Sequence, residues 1–167
     1  IIDRVTLQAP AGLVSLTDAF RQQLDRDGLR PAQHVAVLPD AYDEQRYYAF
    51  SAQERTAARQ SLGIAPDDTL LVYAGLTFAY RGLDMLLDAL AQASADIPTL
   101  RAALVGGRPQ EVDALREQAQ RLGIAERVSF TGQQDQDFVA RYLAAGDILC
   151  VPDTVTDVTA SPLKLFE

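Results

Sequence analysis

From Asp67 to Pro152 the chain repeats one pattern, and that pattern leaves few folds open. Leu70-Leu71-Val72-Tyr73-Ala74 is apolar without interruption, has the length of a strand and stops at Gly75. Leu83, Leu86, Leu87 and Leu90 then recur at helical spacing until Pro98 breaks the segment. Ala102-Ala103-Leu104-Val105 is a second such run, ended by Gly106-Gly107, and Val112, Leu115, Ala119 and Leu122 stripe the helix behind it. Val128-Ser129-Phe130 with Gly132, a helix around Phe138, Val139, Tyr142 and Leu143, and a buried run at Asp147–Val151 complete the series. A strand that is apolar on every residue is covered on both faces, and amphipathic helices between such strands supply the cover. The expectation is an α/β fold, a parallel sheet with helices on both sides.

Right-handed crossovers bring the carboxyl ends of all these strands to one edge of the sheet. Those ends read Gly75, Gly106-Gly107, Gly132 and Pro152. Glycine lets a ligand approach the backbone closely, although it also serves plain tight turns. Three glycine-bearing ends in register point to a pocket there.

The final segment, PDTVTDVTASPLKLFE (Pro152 to Glu167), leaves the last strand and enters a helix at Ser161-Pro162. Ser161 suits the N-cap, and Pro162 sits where its missing N–H costs nothing. The free amides of such a first turn favour an anion, above all a phosphate. Lys164 adds a positive charge, and Glu167 stands one to two turns along, placed to meet ribose hydroxyls. On this segment alone, an ordinary capped helix with Lys164 and Glu167 in solvent is the plainer reading.

Before Asp67 the pattern is looser. Gly12–Leu16 is a short apolar stretch, Thr17 caps a helix with Phe20 and Leu24 on one face, and Gly28 stops it. After Arg30-Pro31 come a strand-like HVAVLP, a loop rich in tyrosine and charge, and a helix over Glu54–Leu62 closed by Gly63.

Composition sets limits on function. A net charge of −8 argues against a nucleic-acid surface, which needs clustered lysine and arginine. One cysteine excludes a disulfide framework and a cysteine zinc site, and Cys150 reads as a small buried hydrophobe. No apolar run reaches the roughly 18 residues of a membrane span. The cytoplasm is the expected compartment, with peripheral membrane association of a longer protein compatible with it. The chain begins at Ile1 and stops within the unfinished helical pattern LKLF, so a piece of a longer protein is expected.

Six blocks in this order, VLPDAYDEQRY, LLVYAGLTFAYRGLDMLLDAL, ALVGG, LGIAERVSFTG, AAGDILCVPD and SPLKLFE, together resemble a retaining GT-B glycosyltransferase of the family 4 type (glycosyl transferases group 1), over roughly residues 10–167. The resemblance implies two facing Rossmann-like domains, the first for acceptor and the second for a nucleotide-sugar donor. Residues 1–30 would be the end of the acceptor-side domain and 31–167 an incomplete donor-binding domain truncated at its carboxyl end, with the linker around VLPDAYD. Implied partners are a nucleoside-diphosphate sugar and an unknown hydroxyl acceptor. No cofactor or metal is expected.

Carried over by position, the family's pair of basic residues after the first donor-domain strand, which hold the diphosphate, is represented by Arg81 before Gly82. The other member of the pair is replaced by Leu76. Of the two glutamates near the end of the block, the second corresponds to Glu167, on the ribose, and the first to Thr159. The resemblance puts Ser161, Leu163 and Lys164 against the diphosphate and Gln133 beside the base. It puts Gly106 and Gly107 at a turn on the pocket floor and Gly75, just before Leu76, among the donor-binding residues. Arg81 is the residue assigned to catalysis. Leu76 and Thr159 depart from the family pattern and motivate an alternative, a degenerate, non-catalytic domain that binds a nucleotide or a partner. A nucleotide-sugar epimerase is a third reading.

Two further features are weighed. Asp135-Gln136-Asp137 spells the Asp-x-Asp that binds metal in another glycosyltransferase fold, but acids before a helix also suit its dipole. His34, the one histidine, stands at a strand start and reads as structural.

Overall fold

A computed structural model describes residues 2–152, which form two compact units, 2–42 and 43–152. The first contains helix α1 (Ile2–Gln8), strand β1 (Leu13–Ser15), helix α2 (Asp18–Arg26) and strand β2 (Val35–Val37). Strands β1 and β2 are parallel, with Leu13 opposite Val35. Thr17 has the extended backbone of an N-cap, and its hydroxyl accepts the Phe20 N–H at 3.1 Å. That satisfies one of the orphan donors of the first turn. Leu24 is the buried residue of this helix.

Helix α1 has no counterpart in the sequence expectations. It is held at its carboxyl end by Arg30, only 8% exposed, whose guanidinium donates to the carbonyls of Gln8, Pro10 and Ala11 at 3.0, 2.9 and 3.2 Å. Late carbonyls of a helix lack partners within it, and a fixed fork of donors supplies them. Segment 31–42 stays with the first unit because β2 forms its ladder with β1, and the division falls at Tyr42/Asp43, inside the VLPDAYD linker.

The second unit contains α3 (Ala52–Ser61), β3 (Thr69–Ala74), α4 (Leu83–Asp96), β4 (Leu100–Val105), α5 (Pro109–Arg121), β5 (Val128–Gly132), α6 (Gln136–Ala145) and β6 (Ile148–Leu149). The strands form one sheet in the order β5-β4-β3-β6, every neighbouring pair parallel. Side chains alternate across a strand, and both sets here are apolar. Tyr73, Leu100, Ala102 and Leu104 face one way and pack with Leu83, Leu87 and Leu90 of α4 and Leu115 and Ala119 of α5. Leu70, Val72, Ala74, Ala103 and Val105 face the other way, onto Ala58 of α3 and Tyr142, Ala144 and Ala145 of α6. This is the α/β sandwich that the continuous apolar runs require.

The last strand corrects the sequence reading. Ile148 and Leu149 are 46% and 52% exposed, and Cys150 is half-buried rather than buried. Among the described residues β6 pairs only with β3, so one side of it lacks a neighbour. Burial nevertheless pushes the Cys150 thiol above its usual range, which keeps it neutral. The strand is anchored from behind by Asp147. Its carboxylate accepts the Leu70 N–H at 2.7 Å and takes Arg55 and Arg59, the latter at 3.0 Å.

Candidate functional site

Strands β3, β4 and β5 step outward in one direction, and β6 returns to the opposite side of β3. Ligands of open α/β sheets lie outside the carboxyl ends of the strands where such a reversal occurs. The reversal here lies between β3 and β6, so the loop 75–82 and the segment 150–152 flank it.

The glycines expected at this edge meet there. The Gly75 N–H donates to the Val105 carbonyl at 2.8 Å, and the Gly106 N–H donates to the Gly132 carbonyl at 2.9 Å. Gly106 lies so close to Gly75 that a Cβ on it would stand 2.4 Å from the Gly75 carbonyl oxygen. A Cβ on Gly107 would meet the Thr77 hydroxyl at 2.4 Å. Both have positive φ, 112° and 91°, which side-chain-bearing residues rarely adopt. The glycines at these two strand ends therefore pack backbone against backbone, and Gln133 follows exposed after Gly132.

Arg81 ends a short 3-10 turn, Ala79–Arg81, in which its N–H donates to the Phe78 carbonyl at 2.8 Å. Gly82 then takes a left-handed conformation (φ 66°), which turns the chain into α4. The Arg81 guanidinium lies over the Tyr80 ring, 5.1 Å from its centre. Leu76, where the family pattern has a base, is half-exposed, and its carbonyl accepts the Tyr73 hydroxyl. Gly75, Arg81, Gly106, Gly107 and Gln133 lie on the loops that follow β3, β4 and β5. Thr159, Ser161, Leu163, Lys164 and Glu167 lie outside the described residues.

Two residues that sequence reasoning missed hold this edge together. Thr77, 5% exposed, donates its hydroxyl to Glu111 Oε2 at 2.8 Å. Glu111 also accepts from Arg108 Nε and Nη2, at 3.0 and 2.7 Å. The Thr77 hydroxyl, with Arg108 behind it, holds the Glu111 carboxyl below its usual range. The available signal was Arg108-Pro109 with a glutamate at the third helical position, a capping pattern. The partner across the sheet edge had no signal.

Both acids of the Asp-x-Asp motif have partners within the protein. Asp135 caps α6, accepting the Phe138 N–H at 2.7 Å, and Asp137 pairs with Arg46 Nε at 2.9 Å. Among the described residues no group of three or more histidine, cysteine, aspartate or glutamate side chains could hold a metal ion. A cavity of 490 Å³ lies between α3 and α6, lined by residues such as Tyr48, Phe50, Ala58 and Ala144, and contains none of the glycine rim. It follows from the helix packing rather than from the strand ends.

Residues 54–165 match the family model described as glycosyl transferases group 1. The chain belongs to this family. Relatives include D-inositol 3-phosphate glycosyltransferases from Geodermatophilus obscurus, 32% identical over 90% of the chain and 34% of that protein. Another is from Rhodococcus opacus, 37% identical over 84% of the chain and 32% of that protein. The chain spans about a third of the length of these relatives. Among solved structures it is similar to Anabaena HepE in complex with UDP and glucose. That match has a TM-score of 0.74 and 26% identity over 88% of this chain and 39% of the other. The fold also matches sucrose-phosphate synthase of Thermosynechococcus elongatus, with a TM-score of 0.78 and 21% identity over 98% of this chain and 40% of the other. The chain has the Rossmann-like half of a GT-B glycosyltransferase. No helix among the described residues is long and apolar enough to cross a membrane.

Proposed function

We propose that this chain is the donor-binding part of a retaining, family 4 type glycosyltransferase that transfers a sugar from a nucleoside-diphosphate sugar to a hydroxyl acceptor. The observation that carries the reading is the meeting of Gly75 and Gly106 at the carboxyl edge of the sheet, where the loop carrying Arg81 leaves β3. There Gly75 and Gly106 carry no side chain, and the loop that follows Gly75 carries Arg81. The group 1 family match and the likeness to HepE, solved with UDP and glucose, support the same ligand class.

The chemical demand is a diphosphate whose charge grows as the glycosidic bond breaks. Donors fixed in advance toward that charge lower the barrier most. In this reading Arg81 supplies the guanidinium, and Ser161, Leu163 and Lys164 supply backbone amides to the diphosphate. Glu167 binds the ribose, Thr159 stands near the sugar, and Gln133 meets the base. Neither metal nor cofactor takes part. The acceptor site and the cytoplasmic setting belong to the same proposal.

Calorimetric titration of the chain with UDP, ADP and GDP tests it. Saturable heat is expected with at least one nucleoside diphosphate, and silence with all three sinks the donor-site reading in favour of a degenerate domain. In a protein carrying both GT-B halves, Arg81→Ala is expected to lower turnover by roughly two orders of magnitude, the loss typical of one electrostatic donor. Wild-type turnover in that variant removes Arg81 from the mechanism.

A further inference from the structure

We propose that Thr77, Glu111 and Arg108 are positioning residues that clamp the loop carrying Arg81, so that the affinity for the diphosphate depends on a hydroxyl that never touches it. The inference rests on the donor-site reading above and adds to it the device that fixes the guanidinium.

The loop 75–82 spans the gap between β3 and α4, and its inner residues are tied down one after another. The Tyr73 hydroxyl, from the strand itself, donates to the Leu76 carbonyl. Thr77 is buried, and its hydroxyl donates to Glu111 in the first turn of α5. Its side chain also fills the space above Gly107, where any Cβ would collide with it. Phe78 and Tyr80 stack with ring centres 5.5 Å apart. Arg108 lies 4.9 Å from the Phe78 ring centre, and Arg81 lies 5.1 Å from the Tyr80 ring centre. The row Arg108–Phe78–Tyr80–Arg81 thus joins the β4–α5 turn to the guanidinium assigned to the diphosphate. Glu111 ties that row to Thr77 by holding Arg108 and Thr77 at once.

Two loops from adjacent parallel strands are therefore welded by one carboxylate. Cation–ring contacts on a surface are weak individually. A buried hydroxyl on a carboxylate is stronger, and without it the carboxylate loses a partner on its buried side. Thr77 is the residue on which the clamp turns.

The test uses the chain itself, with UDP as probe. Hydrogen exchange without ligand reads the clamp, and calorimetry reads its consequence. In Thr77→Val, which keeps the shape and removes the hydroxyl, amides of residues 76–82 are expected to exchange at least about tenfold faster, with the α4 interior unchanged. UDP affinity is expected to fall roughly tenfold, the worth of one charge-assisted hydrogen bond. Thr77→Ser is expected to restore both. On an Arg81→Ala background, Thr77→Val is expected to weaken UDP binding by less than about twofold, because it acts through the residue already removed. Unchanged loop exchange and affinity in Thr77→Val, or a full tenfold loss added to Arg81→Ala, overturns the proposal and leaves the donor-site reading standing. A wild-type chain that binds none of UDP, ADP and GDP overturns both.

Discussion

At the scale of single residues, the strand-end glycines and Asp147 carry the clearest consequences. An alanine at position 107 adds a Cβ where Thr77 Oγ1 and Val112 Cγ2 already stand, at 2.4 and 2.9 Å, on a backbone with φ 91°. The strained backbone and the overpacking each cost ~1–3 kcal/mol. Gly107→Ala is therefore expected to lose several kcal/mol in urea unfolding; a loss within 0.5 kcal/mol, about the noise of a surface substitution, would mean that Thr77 is free to move aside. Asp147 predicts a pH dependence. Burial raises its pKa, but the Leu70 N–H, Arg59 and Arg55 outweigh that, so the carboxyl ionises below its ordinary 3.8. A depressed carboxyl contributes stability in full above the unfolded-state value and loses it as pH falls through the folded one. Asp147→Asn is expected to be less stable than wild type by about 2 kcal/mol at neutral pH, the scale of a charged hydrogen bond. The gap should close on acidification below pH 3.8, followed by denaturant midpoints across pH. A gap that stays constant into acid removes the charge from the explanation.

At the scale of elements, the caps separate structure from chemistry. Ser51 accepts the Glu54 N–H while Glu54 accepts the Ser51 N–H, a reciprocal capping box at the start of α3. Asp135 does the same work at α6 with one bond. Either residue changed to alanine is expected to cost ~1 kcal/mol of stability. Asp135→Ala should leave UDP affinity the same in EDTA as in magnesium, because its carboxylate serves a backbone amide. A magnesium-dependent loss of affinity in that variant would revive the metal reading of Asp135-Gln136-Asp137. These elements were legible because caps and apolar periodicity are local: Thr17, Gly63 and the leucines of α4 stand where the pattern put them. Helix α1 was not legible, since its carboxyl end is completed by Arg30, more than twenty residues away in sequence.

At the scale of the molecule, the second unit is a sheet with two separate apolar layers, and each can be opened alone. Leu87, 1% exposed, sits in the α4–α5 layer away from the glycine rim. Leu87→Ala is expected to cost ~2–5 kcal/mol in unfolding, with UDP affinity unchanged in the folded fraction. A parallel loss of affinity would show that the layer and the rim are coupled. The sequence alone determined the parallel α/β class, the order of strands and helices from Asp67 onward, and the glycines at the strand ends. Each of these follows from hydrophobic period and chain-breaking residues, which act over one or two turns. Only the tertiary structure decided that β6 lies beside β3, which locates the strand reversal, and that residues 31–42 belong with the first unit. It alone joined Thr77 to Glu111, and it exposed Ile148 and Leu149 despite their apolar run. Which strands become neighbours and which side chain meets which across a turn depend on contacts between distant residues. No local pattern encodes those contacts.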